Sequence, residues 1–434
     1  MITGKTSMTA RSARSLMRFC GHAADDRDDE GGADQDHPRQ RIGHAVPSYA
    51  AMIRWIAGGG AFVVSLDSIM NVAFPAIAAS FAAPPEQMRW IIICYVGTYA
   101  LTAFAGGALA DRVGHGRVFR AGLALSAVAF AVAGLAPTFG WLLLGRVLQG
   151  LGGGCVYGTA PGIVTLAAAP AARGRALGFL GAAIGLGLSV GPLAAGVLVD
   201  TVGWRAIFHV RVPLAVLAFG AALAGLPAAS APRAPRLVAV AELVRAPVLA
   251  ASALAFVANA GIFSIWLLAP FYLVVARGLD ASAAGALFML TPLGTALAAP
   301  PAGRLADRVG PRALITVGLA LEALGLGLLS RAEAATPIPV LALALLAAGF
   351  GLGLFQVPNM AVVMAAFPSA QQGAAGGLAF LARTLGTVAG VAVLAQLFGA
   401  RRATIGLGPA AAEGFLVAAL AVGLAATLAA VRCR

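Results

Sequence analysis

The octapeptide Gly107-Ala-Leu-Ala-Asp-Arg-Val-Gly114 returns as Gly303-Arg-Leu-Ala-Asp-Arg-Val-Gly310, with seven of eight positions identical. Apolar runs lie on both sides of each copy. Glycine suits the tight turn such a junction needs, because it has no Cβ to clash at positive φ. The duplication reaches further along the chain. Gly150 and Gly154 correspond to Gly349 and Gly353, and Gly187 and Gly191 to Gly386 and Gly390. Small residues four apart let helix backbones approach closely. Packing accounts for each glycine singly, and their recurrence says that two equivalent bundles face each other.

Composition places those bundles in a membrane. Hydrophobic residues make up 60% of the 434, charged residues 11%, and mean hydropathy is +0.89. A soluble domain carries about 25% charged residues to face water. Stretches long enough to cross ~30 Å of hydrocarbon number twelve: 54–80, 90–110, 118–136, 140–168, 174–200, 206–226, 248–276, 283–303, 313–330, 337–366, 373–399 and 411–431. The expected fold is an all-α membrane protein, with twelve transmembrane helices in two pseudo-symmetric six-helix bundles.

The formal charge of +13 comes from the membrane body, since residues 1–50 hold seven basic and seven acidic side chains. Nucleic acid is therefore not an expected partner. Arginines gather in alternate loops, as at Arg112, Arg117, Arg120, Arg304, Arg308 and Arg312. The positive-inside rule makes that set cytoplasmic and puts both termini inside a cell inner membrane. The polar segment 1–51 reads as a disordered cytoplasmic tail, or synthesis begins at Met52. Residues 52–226 form the first bundle, the Pro/Ala/Arg-rich 227–247 a cytoplasmic linker, and 248–434 the second bundle.

Several chemistries drop out. The four cysteines and five histidines have no paired spacing, so no metal, disulfide or cofactor is expected. Gly187-Leu-Ser189-Val-Gly191 has the spacing of a hydrolase elbow, which must join a strand to a helix. Here it lies inside an apolar helix, and an enzyme is not expected. The sole lysine is Lys5, so there is no phosphate-binding glycine-lysine loop and ATP-driven transport is not expected.

Four motifs remain. Gly107-x-x-x-Asp111-Arg112-x-Gly114-x-x-Arg117 has its second copy at Gly303, Asp307, Arg308 and Gly310. Arg146-x-x-Gln149-Gly150 puts a charge inside an apolar span, where it costs roughly 2.5–3.5 kcal/mol and seeks an interior partner. Snorkelling to the membrane edge is the alternative. Gly187-x-x-x-Gly191-Pro192-x-x-Ala195-Gly196 lies in the fifth span, and Leu66-Asp67-x-x-x-Asn71 with Pro75 in the first. The i,i+4 spacing puts Asp67 and Asn71 on one helix face.

Over residues 52–431 these motifs resemble the major facilitator superfamily, and within it the proton-coupled drug-efflux antiporters. The departures are His115 in the first loop, Ala195 for a glycine, a first-span motif one residue short, and Arg211 where asparagine is usual. The resemblance implies that the two Asp-Arg loops gate the cytoplasmic side, that Arg146 serves proton transfer, and that Gly187, Gly191, Pro192 and Gly196 mark an antiporter. It implies a monomeric secondary transporter that takes protons inward and exports small molecules such as drugs or antibiotics. An exporter of an anionic metabolite, or a membrane sensor on a carrier scaffold, is the alternative.

Asp67 is the candidate proton carrier and Arg146 its partner. At ~1.5 Å per residue, Asp67 lies roughly 18 Å in from one side and Arg146 some 9 Å in from the other. In a ~30 Å core the depths nearly coincide, so the two charges should meet or share a polar cavity. Asn71, Gln149, Gln356, Asn359 and Arg383 are candidate cavity residues. Gln356 and Asn359 serve equally well as hydrogen bonds between helices. Glu322 is either protonated in place or paired with Arg383.

Overall fold

Lipid offers a backbone amide no partner, so an apolar segment in a bilayer must satisfy its own N–H and C=O groups, and the helix does this. The computed structural model describes residues 46–168, 173–227, 245–367 and 372–431, and every regular element among them is helical. In chain order the long helices are α1 (Val46–Ser65), α2 (Arg89–Val113), α3 (His115–Gly134), α4 (Phe139–Leu166), α5 (Arg173–Thr201), α6 (Arg211–Gly225) and α7 (Ala246–Pro270). They continue with α8 (Leu290–Val309), α9 (Pro311–Ser330), α10 (Ile338–Ala365), α11 (Gln372–Ile405) and α12 (Leu407–Val431). Among the described residues, eleven helical segments are long and apolar enough to span a bilayer. The remaining long helix, α4, has 28 residues, and its glycines, Arg146 and Gln149 dilute its hydropathy.

The expected tail and linker fall mostly outside the described residues. Helix α1 begins at Val46, before the expected end of the tail at residue 51. Pro47 does not obstruct this start, because the N–H groups of a first turn have no intrahelical acceptor to lose.

The repeat seen in sequence is a repeat of contacts. A Cβ on Gly150 or Gly154 would run into Tyr95, Thr98, Tyr99 and Thr102 of α2, and one on Gly349 or Gly353 into Thr291 and Thr295 of α8. Gly187 and Gly191 press on Phe62, Ser65 and Ser68 at the end of α1, just as Gly386 and Gly390 press on Phe256 and Ala260 of α7. The chain therefore has the expected architecture of two pseudo-symmetric six-helix bundles. In the two octapeptides, Gly114 has φ 101° and Gly310 φ 86°. Each ends one helix and starts the next, in backbone that an L side chain rarely adopts.

Two first helices of the bundles are broken. Helix α1 passes through a 3₁₀ turn at Leu66–Ser68 and a short helix Ile69–Val72 before Phe74–Ser80. Pro75 has no N–H to return to Asn71, which interrupts the ladder here. Helix α7 runs through Pro270 into a π-helical turn, Phe271–Ala276. Asp67 lies in the break of α1, and such interruptions often coincide with functional positions.

At the end of the bundle opposite the octapeptides the halves are joined. Arg402 near the end of α11 donates to Glu86 in the loop between α1 and α2, at 2.8 and 3.2 Å. Asp200 near the end of α5 accepts from the backbone N–H groups of Ala281 at 3.1 Å and Ser282 at 2.8 Å. Gly196 packs against Ala281 and Ser282, and Gly285 against the Pro192 carbonyl.

Candidate functional site

The break in α1 turns Asp67 inward, toward α4 and α6. Arg146 reaches it with both terminal nitrogens, Nη1 at 2.6 Å from Oδ1 and Nη2 at 2.8 Å from Oδ2. This fork-on-carboxylate geometry is the strongest form of the pair. Gln149, one turn further along α4, accepts from Arg146 and donates to Asp67 Oδ1, each at 2.6 Å. The Nε of Arg146 is held by the Ile91 carbonyl at 3.1 Å. Arg146 therefore does not snorkel: it is 2% exposed and tied to three other residues.

A second guanidinium completes the cluster. Arg211, fully buried on α6, places Nη1 3.4 Å from Asp67 Oδ1. Its charge also lies 4.0 Å above the Phe130 ring, while that of Arg146 lies 4.4 Å above Tyr95. An aromatic face attracts a cation through its quadrupole. The site thus holds one carboxylate between two arginines, a net excess of one positive charge when Asp67 is ionised.

Nothing in the sequence reading placed Arg211, a departure from the family at the start of the sixth span, beside Asp67. The depth reckoning that brought Arg146 to Asp67 would have found it too, because α4 and α6 cross the bundle in the same direction. Ser65 and Tyr157 also belong to this neighbourhood, with their hydroxyls 2.7 Å apart.

The other candidates divide. Asn71 donates to the Ser68 carbonyl at 3.4 Å within its own segment and makes no bond to the carboxylate cluster. Gln356, Asn359 and Arg383 line one small cavity, together with Ala255, Phe355, Met360 and Ala379. Asn359 also bridges helices by donating to the Ala251 carbonyl at 3.1 Å. Glu322 is fully buried, and neither of its oxygens has a hydrogen-bond partner, so the pairing with Arg383 is not formed. It points instead at Gly261, whose added Cβ would lie 3.4 Å from Oε1.

In the octapeptides, Gly107 and Gly303 lie within α2 and α8, and Arg112 and Arg308 are exposed at their ends. The side chains of Asp111 and Asp307 lie outside the described residues. Arg117 reaches back from α3 to the Val113 carbonyl at 3.4 Å. No group of three or more histidine, cysteine or acidic side chains that could hold a metal occurs among the described residues.

Twelve long helices among the described residues, in two matching bundles with charged groups paired deep within the first, define a multi-pass membrane carrier. The model for the Major Facilitator Superfamily matches residues 56–390 and 251–432. The chain belongs to that superfamily. It is 30% identical to the tetracenomycin C resistance and export protein of Streptomyces glaucescens over 402 residues, 79% of this chain and 74% of that one. It is 29% identical to the multidrug resistance protein Stp of Mycobacterium tuberculosis, over 79% of this chain and 75% of that one. The riboflavin transporter RibZ of Clostridioides difficile is 26% identical, over 78% and 86%. Among solved structures, the nucleoside transporter NupG superposes with a TM-score of 0.71 at 12% identity, over 88% of this chain and 99% of that one. A bacterial homologue of the lysosomal transporter Spinster, inward-facing and unoccupied, gives 0.68 at 18% identity, over 88% and 95%.

Proposed function

We propose that the chain is a proton-coupled antiporter that exports small molecules of the drug or antibiotic kind. The observation that carries this reading is the Asp67 carboxylate held between Arg146 and Arg211 at a helix break. A proton arriving at Asp67 would cancel the counter-charge that two buried guanidiniums share among the described residues, so the cluster cannot stay as it is. It must open, and opening moves α1 against α4 and α6. Movement of the charges in turn changes the carboxylate's affinity for the proton, which is what coupling requires. The relatives named for resistance to tetracenomycin C and to multiple drugs support export as the direction.

Alternating access in this reading is a rocking of residues 52–226 against 248–434, joined by the linker 227–247. With the octapeptide loops cytoplasmic, the Glu86–Arg402 and Asp200–Ser282 contacts close the outer side. The antiporter glycines fit a closing role, since Gly187 and Gly191 bind α5 to α1 while Gly196 binds it to the start of the eighth span. The chain then works as a monomer in a cell inner membrane, with both termini inside.

The test is gradient-driven efflux of several dyes and antibiotics in inverted vesicles, with and without a protonophore. Accumulation that the protonophore abolishes supports the reading. Accumulation indifferent to the proton gradient removes proton coupling, and no transport of any probe removes the drug-export reading. A second reading, export of an anionic metabolite, is favoured by the buried arginines outnumbering Asp67.

A further inference from the structure

The cavity between α7, α10 and α11 holds two polar atoms of opposite character with nothing to bind. The Nε of Arg383 is a buried donor without an acceptor, and the Oδ1 of Asn359 is a buried acceptor without a donor. Arg383 makes no ion pair with any described residue, although it is a full charge inside a membrane body, where such groups pair or face a polar path. Asp67 is already shared by two arginines, and Glu322 touches none of the three. Charged groups stripped of water and left unpaired cost more than the same groups bonded. A ligand that offers an anionic oxygen to Arg383 and a hydroxyl to Asn359 would satisfy both atoms at once.

The surroundings add a second requirement. The cavity is about 20 Å³, room for a group of one or two atoms, so most of a ligand must lie outside it. What lies beside it is aromatic. Phe380, one turn from Arg383 on α11, meets Tyr99 of α2 edge-on with ring centres 5.5 Å apart. Tyr99 stacks on Tyr95 at 5.4 Å, and Tyr95 carries the Arg146 guanidinium at 4.4 Å. Phe355 lines the cavity itself. A row of rings therefore runs from the Arg383 cavity in one half to the Asp67 cluster in the other. Flat aromatic ligands suit such a row, because offset and edge-on ring contacts are favourable there.

We propose that Arg383 and Asn359 form the head-group subsite for the exported molecule, and that this molecule belongs to the hydroxylated aromatic anions, with a carboxylate or phenolate on a flat ring system. The proposal rests on the reading of the chain as an exporter and names the class of its cargo. Arg383 binds the anionic oxygen, Asn359 accepts from the neighbouring hydroxyl, and the ring lies along Phe380 and Tyr99. Gln356 supplies a further polar contact at the cavity wall. Release follows when the halves separate the α11 side of this site from the α2 side.

The test is equilibrium binding to the purified full chain in lipid nanodiscs, without a proton gradient, so that it stands apart from the test of proton coupling. The probes are 3-hydroxy-2-naphthoate and its uncharged analogue 3-hydroxy-2-naphthamide, which share ring and hydroxyl. The wild type should prefer the naphthoate by at least about tenfold, a difference of about 1.4 kcal/mol. Arg383→Gln should bring the two probes within about twofold of each other. Arg383→Lys, which keeps a charge but loses the planar fork, should lower the preference at least about threefold, and it decides the matter if the glutamine variant does not fold. Equal affinities in the wild type would assign the cavity to bound water and overturn the proposal. A naphthoate preference unchanged in either variant overturns it as well.

Discussion

Replacing Asp67 with asparagine isolates the charge at almost constant shape. The carboxylate now accepts two bonds from Arg146 at 2.6 and 2.8 Å, one from Gln149 at 2.6 Å, and the field of Arg211 at 3.4 Å. Removing one partner of a buried ion pair costs about 3–5 kcal/mol, because the other charge is left unpaired. The asparagine oxygen retains one acceptor, which returns about 1 kcal/mol, while its amide group faces an arginine donor. The net loss is about 2–4 kcal/mol of native stability. That lowers the melting temperature without preventing insertion, since the helices are apolar along their length. Transport should fail outright, because the side chain can no longer exchange a proton and the cluster is fixed at two positive charges. The assay is uphill export by reconstituted vesicles across a range of imposed pH gradients, alongside a fluorescence melt. Export against a gradient with wild-type pH dependence would refute Asp67 as the proton carrier.

Three further outcomes are expected. Gly114→Ala and Gly310→Ala should each cost about 1–3 kcal/mol, because both positions hold positive φ in backbone that disfavours a Cβ, and thermal melts of the two variants check this. Glu86→Gln should loosen the end of the bundle opposite the octapeptides. Its partly exposed pair with Arg402 contributes at most about 1 kcal/mol, so distances between spin labels across that end should show a population shift of up to about fivefold. No shift would mean that the Asp200 hydrogen bonds and the packing of Gly196 and Gly285 close that end without the ion pair. Removing residues 1–45, which precede α1, should leave membrane insertion and export at wild-type levels in vesicle assays, and loss of insertion would show that the tail takes part in assembly.

Much of the site was legible in residues because charge in an apolar helix is conspicuous. Asp67 and Arg146 could be brought to one depth by counting rises along two antiparallel helices, and the structure joins them. Arg211 carried the same signal. Its pairing escaped because its depth was not reckoned against that of Asp67. Gln356, Asn359 and Arg383 stood out as polar groups in apolar spans, but nothing in their spacing said that they share one cavity, because they come from α10 and α11. The row Tyr95, Tyr99 and Phe380 gave no signal at all, since aromatic residues in a span serve equally well against lipid.

By itself the sequence determined the class of protein, the number of spans, the internal repeat and the presence of charges within apolar spans. These follow from local properties: apolar length against bilayer thickness, glycine spacing, and the cost of an ionised group in hydrocarbon. Partnership was decided only by the tertiary structure. It depends on how each helix is rotated about its axis, and in a soluble protein an amphipathic stripe reports that rotation. In a bilayer the face toward lipid and the face toward the core are both apolar, so the pattern is nearly silent. Close glycine contacts, Gly150 on α2 and Gly187 on α1, set the rotations instead, and with them which arginine meets Asp67 and which faces the cavity between α7, α10 and α11.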